Sequence, residues 1–261
     1  NMGLNAYTNV EDLKEQIAAN DPAYEGSMGF VNYAEGIYVG YKFYETAAEE
    51  GLIKYEDMVQ YPFGYGLSYT EFEQKMGELE EKDGQISVDV EVTNTGDVAG
   101  KDVVEVYYKP PYTNGGIEKA SANLIEFAKT DLLQPGESQI VTVTFSIEDM
   151  ASYDENNAKA YVLEKGDYMI SINSDSHTVL DQKTYTADKD VVYKGENKRA
   201  SDDTAATNVF EDAKGDVTYL SRADHFANYE EATAAPESTE LGEPYVSEYH
   251  LNSNFDKTTY L

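Results

Sequence analysis

Few side chains in the sequence have a spacing that could support chemistry. The three histidines, His177, His225 and His250, lie far apart and have no metal-ligand spacing, so each is interpreted as an exposed loop histidine. A glycosidase needs two carboxyl groups about 5 to 9.5 Å apart across the sugar, and fifty Asp and Glu residues offer no obvious pair. Glu35, in AEGIY, could line a sugar site beside aromatic rings, but a turn leading into the aromatic segment is the favoured interpretation.

Other chemistries lack their sequence signatures. There is no cysteine, which excludes disulfides, thiolate metal sites and a cysteine nucleophile. No phosphate loop, dinucleotide-binding glycine pattern or GxSxG setting is present. The acidic loop DENN (154–157) could bind calcium, but it lacks the spaced ligands of a calcium loop and is favoured as a chance cluster. The sequence therefore predicts no catalytic, cofactor-binding or metal-binding residue.

The charge of the chain argues against two classes of partner. Nineteen Lys and Arg against fifty Asp and Glu give a formal net charge of −31. Such a surface repels phosphate backbones and anionic lipids, so we expect neither nucleic acid nor membrane as a partner. No apolar run approaches the roughly 18 residues of a membrane-spanning helix. The first residues do not resemble a signal peptide, and the chain starts as if cut from a longer protein, so the compartment stays open.

The segment YPFGYGLSYTEF (61–72) is rich in rings, and two interpretations compete for it. Sugars are held by ring stacking, but carbohydrate-binding surfaces rely heavily on tryptophan, which this chain lacks. Gly64 and Gly66 allow tight turns and close approach of neighbouring chain. Buried aromatic rings also stabilise an interface strongly. The favoured interpretation is therefore a packed joint that buries Tyr61, Phe63 and Tyr65, with a ligand surface as the alternative.

Before this segment, the pattern predicts the end of an α/β unit over residues 1–60. Residues 10–19 have apolar side chains at helical spacing, with Asn9 as a candidate N-cap. Residues 37–51 are expected to enter as extended chain and then form a helix that ends at Gly51. Residues 61–84 are assigned as the aromatic joint and a connector.

From residue 85 the apolar period changes to two. Ile86, Val88, Val90 and Val92 are predicted to share one face of a half-buried strand. The other candidate strands are 102–109, 123–129, 138–146, 158–164, 167–174 and 178–186. Short strands separated by turn residues predict a mainly β fold, a fibronectin type III-like (immunoglobulin-like) sandwich of about seven strands over residues 85–192. Tyr168 is either the corner tyrosine of such a fold or an ordinary strand aromatic.

The last part of the chain, residues 193–261, changes character again. Its first third is polar and poor in large apolar residues, which is typical of a linker or a long surface excursion. The remainder has scattered aromatic residues without a sustained period. We expect an irregular tail that lies across another domain, or that is partly disordered when that domain is absent.

Four motifs, in order, carry a resemblance to a known family: EGIYVGYKFYE (35–45), QYPFGYGLSYTEF (60–72), VEVTNTGDVAGKDVVEVYYKPP (90–111) and LLQPGESQIVTVTFSIEDMASYD (132–154). They resemble the C-terminal parts of glycoside hydrolase family 3 enzymes, the β-glucosidases and their relatives. The resemblance implies the end of an α/β sandwich domain followed by a fibronectin type III-like domain. DVTYLSRADHF (216–226) is similar to the connector of rearranged members, in which a (β/α)8 barrel follows the sandwich.

What the resemblance implies about activity is limited by the residues present. Family members hydrolyse terminal β-linked sugars with retention, using an aspartate on the barrel and usually a glutamate on the α/β domain. The barrel has no counterpart here, and the family's glutamate lies upstream of EGIYVGY, so Glu35 does not inherit that role.

The sequence hypothesis is therefore a non-catalytic segment of a β-glycosidase, inactive alone and without a cofactor. Its partners would be the remaining domains of the parent chain, and the parent would act on a β-glycoside. A free-standing carbohydrate-binding or adhesion module is the alternative.

Overall fold

The computed structural model describes residues 33–209, 211 and 215–234. Three features of the sequence analysis lie outside the described residues: the predicted helix over residues 10–19, His250 and the end of the predicted tail.

Two antiparallel sheets form the main body of the protein. The first sheet has the order β1-β2-β5, and the second has the order β4-β3-β8-β9. Three further short strands form a small sheet of order β10-β7-β6. The strands are β1 Phe72–Lys82, β2 Gln85–Asn94, β3 Val103–Lys109, β4 Asn123–Lys129, β5 Ser138–Ser146, β6 Ser152–Asp154, β7 Ala160–Leu163, β8 Gly166–Asn173, β9 Val179–Ala187 and β10 Val191–Tyr193. The mainly β, fibronectin type III-like sandwich predicted from the sequence is confirmed.

The core lies between the two sheets and follows the predicted alternation. Ile86, Val88, Val90 and Val92 of β2 are all buried, whereas Asp89 and Glu91 between them are exposed. The second sheet contributes a matching set of buried side chains, which includes Val104, Val106, Ile170 and Ile172. Burying apolar area on both inner faces is what holds two such sheets together.

The sandwich begins earlier in the chain than predicted. Residues 72–82, assigned as connector, form β1, which pairs antiparallel with β2. The apolar alternation that would reveal this strand is weak, because only Phe72, Met76 and Leu79 turn inward along an edge strand that is otherwise charged. The register also shifts between Met76 and Leu79, which breaks the period of two. Of the strands found in the described residues, β1, β6 and β10 were not predicted.

Tyr168 forms a tyrosine corner. Its ring is buried at the start of β8, and its hydroxyl donates a hydrogen bond of 3.0 Å to the carbonyl oxygen of Glu164, four residues earlier. This backward bond to the backbone distinguishes a corner tyrosine from an ordinary strand aromatic. Burial is the main reason that the pKa of Tyr168 is raised.

The α-helices in the described residues lie before and after the sandwich in sequence. The helices are α1 Tyr41–Glu49, α2 Tyr55–Met58 and α3 Tyr229–Thr233, and short 3₁₀ turns cover Ile147–Met150 and Arg222–Asp224. The predicted helix that ends at Gly51 is confirmed as α1, and Gly51 has the positive φ of 74° that favours glycine after a helix. None of the helices in the described ranges has the length and apolarity needed to cross a lipid bilayer.

The two-layer core makes a quantitative prediction. Replacing Ile170, which is fully buried in β8, by alanine should lower the free energy of unfolding by about 2–5 kcal/mol because a cavity remains between the sheets. The matched control is Ile140→Ala on β5, whose side chain is 62% exposed, and its effect should stay within about 0.5 kcal/mol. Urea denaturation measures both, and equal effects for the two variants would contradict the layer assignment.

Candidate domain-packing interface

Helix α1 is held against the sandwich by polar contacts on its buried side. The helix is only nine residues long, too short to be stable in water by itself. Thr46 is fully buried, and its hydroxyl accepts a hydrogen bond of 2.9 Å from the backbone NH of Ser121. The hydroxyl of Tyr41 accepts another, also 2.9 Å, from the NH of Leu124 at the start of β4. The second sheet therefore positions the helix.

A strap formed by residues 215–234 also packs on this helix. The ring of Phe226 meets Tyr38 edge-on at 4.9 Å between centroids, and Tyr229 stacks on Phe43 at 5.2 Å. The NH of Leu220 donates to the carbonyl oxygen of Ala34 at 2.8 Å. These rings belong to a small apolar core that is separate from the core of the sandwich. Residues more than 170 positions apart in the chain thus pack together, and α1 and the strap form one unit.

Arg222 is the polar centre of this unit. Its side chain is 5% exposed and reaches two carboxylates at the end of α1: Nη2 donates to Glu49 at 2.6 Å and Nε donates to Glu50 at 2.5 Å. Nη1 donates to the carbonyl oxygen of Lys119 at 3.3 Å, and the guanidinium lies 4.2 Å above the ring of Tyr112. Guanidinium groups suit such sites because their planar fork of donors can serve several acceptors at once.

The electrostatics of the cluster match this geometry. Burial alone would raise the pKa of Glu50, but the hydrogen bonds and positive charge supplied by Arg222, with His225, outweigh it and hold that pKa below its ordinary value. Glu118 accepts hydrogen bonds from the hydroxyl of Tyr38, from Ser221 at 2.5 Å and from the NH of Arg222 at 3.0 Å. Burial, followed by the bond to Glu118, raises the pKa of Tyr38 far above its ordinary value.

Two of the histidines pair with glutamates of this unit. Nδ1 of His177 lies 2.9 Å from Glu45 of α1, and the ring of His177 stacks on Tyr55 at 3.7 Å. Nδ1 of His225 lies 2.9 Å from Glu50. Both histidines are exposed in loops, as predicted. Their partners were not foreseen because 132 and 175 positions separate each histidine from its glutamate.

The other candidate residues have structural roles. Glu35 lies in a turn before the helix, which is the favoured interpretation of that residue. Asp154 of the DENN loop accepts hydrogen bonds from the backbone NH groups of Asn156, Asn157 and Ala158. Burial would raise the pKa of Asp154, but these donors outweigh it and lower that pKa. Across the described ranges no group of three or more His, Cys, Asp or Glu residues could hold a metal ion.

The aromatic segment does not form the packed joint that the sequence predicted. Tyr61 is 62% exposed, Phe63 52% and Tyr65 47%, and beyond them Leu67 and Tyr69 are almost fully exposed. The rings lack a covering surface, because only Phe63 stacks on α1, at 4.9 Å from Tyr41. The prediction that Tyr61, Phe63 and Tyr65 are buried is therefore wrong for the described residues.

The backbone of this segment is nevertheless tied to the sandwich. The carbonyl oxygen of Phe63 accepts a hydrogen bond of 2.7 Å from the NH of Ser176. Gly64 follows with a φ of +88°, and a Cβ at that position would clash with the carboxylate of Glu105. At the end of the segment, Thr70 donates to the buried Asn94 at 2.8 Å. The backbone of the aromatic segment is thus bound to the sandwich, while its rings are exposed to solvent.

Comparisons with known proteins agree with this architecture. Residues 102–176 match a family described as a fibronectin type III-like domain. A β-glucosidase A of Butyrivibrio fibrisolvens is 37% identical over 205 residues, which is 69% of this chain and 24% of that protein.

Solved structures point the same way. The β-glucosidase 3B of Thermotoga neapolitana in complex with α-D-glucose is 35% identical, with a TM-score of 0.53 over 62% of this chain and 21% of that protein. A glycoside hydrolase family 3 β-glucosidase of Bifidobacterium adolescentis is 29% identical, with a TM-score of 0.53 over 64% and 23%. The chain spans less than a quarter of each of these proteins. The resemblance to family 3 β-glucosidases is confirmed, and the match is to a part of such enzymes.

The role of Arg222 can be tested by substitution. Replacing Arg222 by alanine leaves Glu50 without its main partner, and truncating one member of a buried ion pair costs about 3–5 kcal/mol. We expect the lower end of that range, because Glu49 is about a third exposed. Amide hydrogen exchange should accelerate in α1 and the strap but not in β8. The matched control is Arg199→Ala, which removes a guanidinium stacked 3.7 Å above Tyr161, and it should leave α1 and the strap unchanged.

The lowered pKa of Glu50 predicts a pH dependence. Folding lowers the pKa of Glu50, so its ionised form stabilises the folded chain. This stabilisation is complete when the pH is above the pKa of a glutamate in the unfolded chain, about 4.3, and it is lost as the pH falls through the lower pKa of the folded chain. Above pH 5, amide hydrogen exchange in the strap should be faster in the Glu50→Gln variant than in the unaltered chain. The two exchange rates should become equal as the pH falls towards 3. A difference that stayed constant with pH would show that the charge of Glu50 does not contribute.

Proposed function

We propose that the chain is a non-catalytic segment of a retaining β-glycosidase, similar to the β-glucosidases, that acts on terminal β-linked sugars. In this proposal the segment holds domains together, and hydrolysis belongs to the rest of the parent protein. The observation that carries the proposal is the unit around α1. Arg222 of the strap binds Glu49 and Glu50 at the end of the helix and the carbonyl oxygen of Lys119, which lies between β3 and β4 of the sandwich.

The extent of the comparisons supports this proposal. The relatives are called β-glucosidases, and the chain accounts for 24%, 19% and 18% of the first three in order of similarity. An activity that belongs to a whole enzyme does not transfer to a part that lacks the catalytic residues. The sequence resemblance gives no counterpart here for the nucleophile or the acid/base residue of the family.

The arrangement of charged side chains points in the same direction. The carboxylates near α1, Glu45, Glu49 and Glu50, are engaged by His177, Arg222 and His225. A catalytic pair in a glycosidase must instead face a sugar from two sides. Carboxylates that are already paired with basic side chains, where the helix, the sandwich and the strap meet, are suited to holding these three segments together.

The activity of the parent protein tests the proposal. The full-length product of the gene that encodes this chain should release p-nitrophenol from p-nitrophenyl β-D-glucoside, with the β-anomer of glucose as the first product by NMR. The 261-residue chain at the same molar concentration should show no release above buffer. The proposal is overturned if the full-length product is inactive on aryl β-glycosides, or if the chain alone turns them over.

A further inference from the structure

A polar cavity lies between α1 and the second sheet. Its volume is about 610 Å³, which is within the range of about 300–1,000 Å³ that is usual for small-molecule sites. Strands β3, β8 and β9 line it from the sheet, and α1 lines it from the helix. Ser176 and His177, in the turn between β8 and β9, complete the lining on one side.

The sheet side of the cavity carries a row of polar side chains. On β8, Ile172 belongs to the core of the sandwich, so its neighbours Ser171 and Asn173 lie on the outer face of the sheet. Tyr107 of β3 and Gln182 of β9 are the direct cross-strand partners of Ser171, and cross-strand partners share a face. The cavity is therefore lined by hydroxyl and amide groups that stand next to one another on three strands.

The helix side of the cavity carries two carboxylates that already have partners. Glu45 and Glu49 are four positions apart in α1, so they lie on the same side of the helix. Nδ1 of His177 lies 2.9 Å from Glu45. Lys109 and Arg222 each donate to Glu49 at 2.6 Å. Because basic side chains engage both carboxylates, the cavity does not need a charged ligand to balance them.

Asn173 has a hydrogen-bonding requirement that the chain does not meet. Its side chain is 3% exposed, and its Oδ1 has no hydrogen-bond partner within the described part of the chain. A buried acceptor without a donor is costly. A ligand that donates hydrogen bonds from hydroxyl groups would supply the missing donor at the cavity that Asn173 lines.

Apolar side chains lie among these polar groups. Met169 of β8 and Val179 of β9 line the cavity, together with Ala48 and Ala122. Small-molecule sites combine an apolar lining with a few placed polar groups that fix the orientation of the ligand. A saccharide ring matches this combination, because its hydroxyl groups lie at the edge and its CH groups lie on the faces.

We propose that this cavity is a binding site for a neutral, polyhydroxylated ring such as a saccharide unit. Ser171, Asn173 and Gln182 bind its hydroxyl groups, and Met169 and Val179 contact its CH groups. This inference goes beyond the proposed function, because a segment that holds domains together does not need a ligand. The tests measure binding by the chain alone, so their results do not depend on the activity of the parent protein.

Titration of the 261-residue chain with D-glucose, followed by ¹H–¹⁵N correlation NMR, tests the site. The amide signals of Ser171, Asn173 and Gln182 should shift and saturate, with a dissociation constant on the order of 1 mM because one sugar ring has few atoms. The amide of Val88 in the first sheet is the internal control and should not shift. Shifts that do not saturate below about 100 mM, or that fall outside the cavity, overturn the inference.

Two neighbouring substitutions on β9 locate the bound ring. Val179 lines the cavity and Leu180 does not, and their side chains are 50% and 45% exposed. Val179→Trp should fill the cavity and weaken glucose binding at least tenfold, whereas Leu180→Trp should leave it unchanged. Gln182→Leu removes hydrogen-bonding groups without filling the cavity, and it should weaken binding several-fold at an unchanged melting temperature. Unchanged affinity in Val179→Trp or in Gln182→Leu would place the ligand elsewhere and overturn the inference.

The charge of the probe tests whether the site selects a neutral ring. D-glucosamine and D-glucuronate have the same ring as glucose but carry a positive and a negative charge. At an ionic strength of about 0.15 M, both should bind several-fold more weakly than glucose, because the charged groups around the cavity already have partners. Tighter binding of either charged sugar would overturn the assignment to a neutral ligand.

Discussion

The structure depends on the burial of α1 between two parts of the chain that are far apart in sequence. A helix of nine residues forms stably only when tertiary contacts replace what its length cannot supply. The second sheet supplies donors for Thr46 and Tyr41, and the strap supplies rings for Tyr38 and Phe43. Arg222 supplies the counter-charge for the carboxylates of Glu49 and Glu50 at the end of the helix.

This constraint connects the fold to the proposed role. The buried side chains of α1, Phe43 and Thr46, find their partners in the strap and the sandwich. Tyr41 and Tyr44 of the same helix line an open groove. The sandwich thus anchors the helix and leaves the rings of Tyr61, Phe63 and Tyr65 exposed. The charge of −31 is compatible with this division, because acidic side chains keep the remaining surface hydrated.

Sequence reasoning succeeded where local pattern decides structure and failed where long-range contacts decide it. The alternation of Ile86, Val88, Val90 and Val92 predicted a strand and its buried face. In a sheet that is covered on one face only, every second side chain of a strand points to water. β1 was missed because an edge strand with charged residues carries little of that pattern. The two glutamate partners of Arg222 lie 172 and 173 positions away, a separation that no local pattern encodes. The rings at 61–65 were predicted to be buried because aromatic composition alone does not say whether the covering surface is in the same chain.

The most direct test of the α1 unit is a set of NOE contacts between aromatic rings in the intact chain, with selectively labelled Phe and Tyr. The account predicts contacts between Phe43 and Tyr229 and between Tyr38 and Phe226, as strong as the contact between Tyr153 and Tyr161 inside the small sheet of the sandwich. If the Tyr153–Tyr161 contact is observed and both contacts to the strap are absent, the strap does not close on α1. The account of a segment built to hold domains together would then be contradicted.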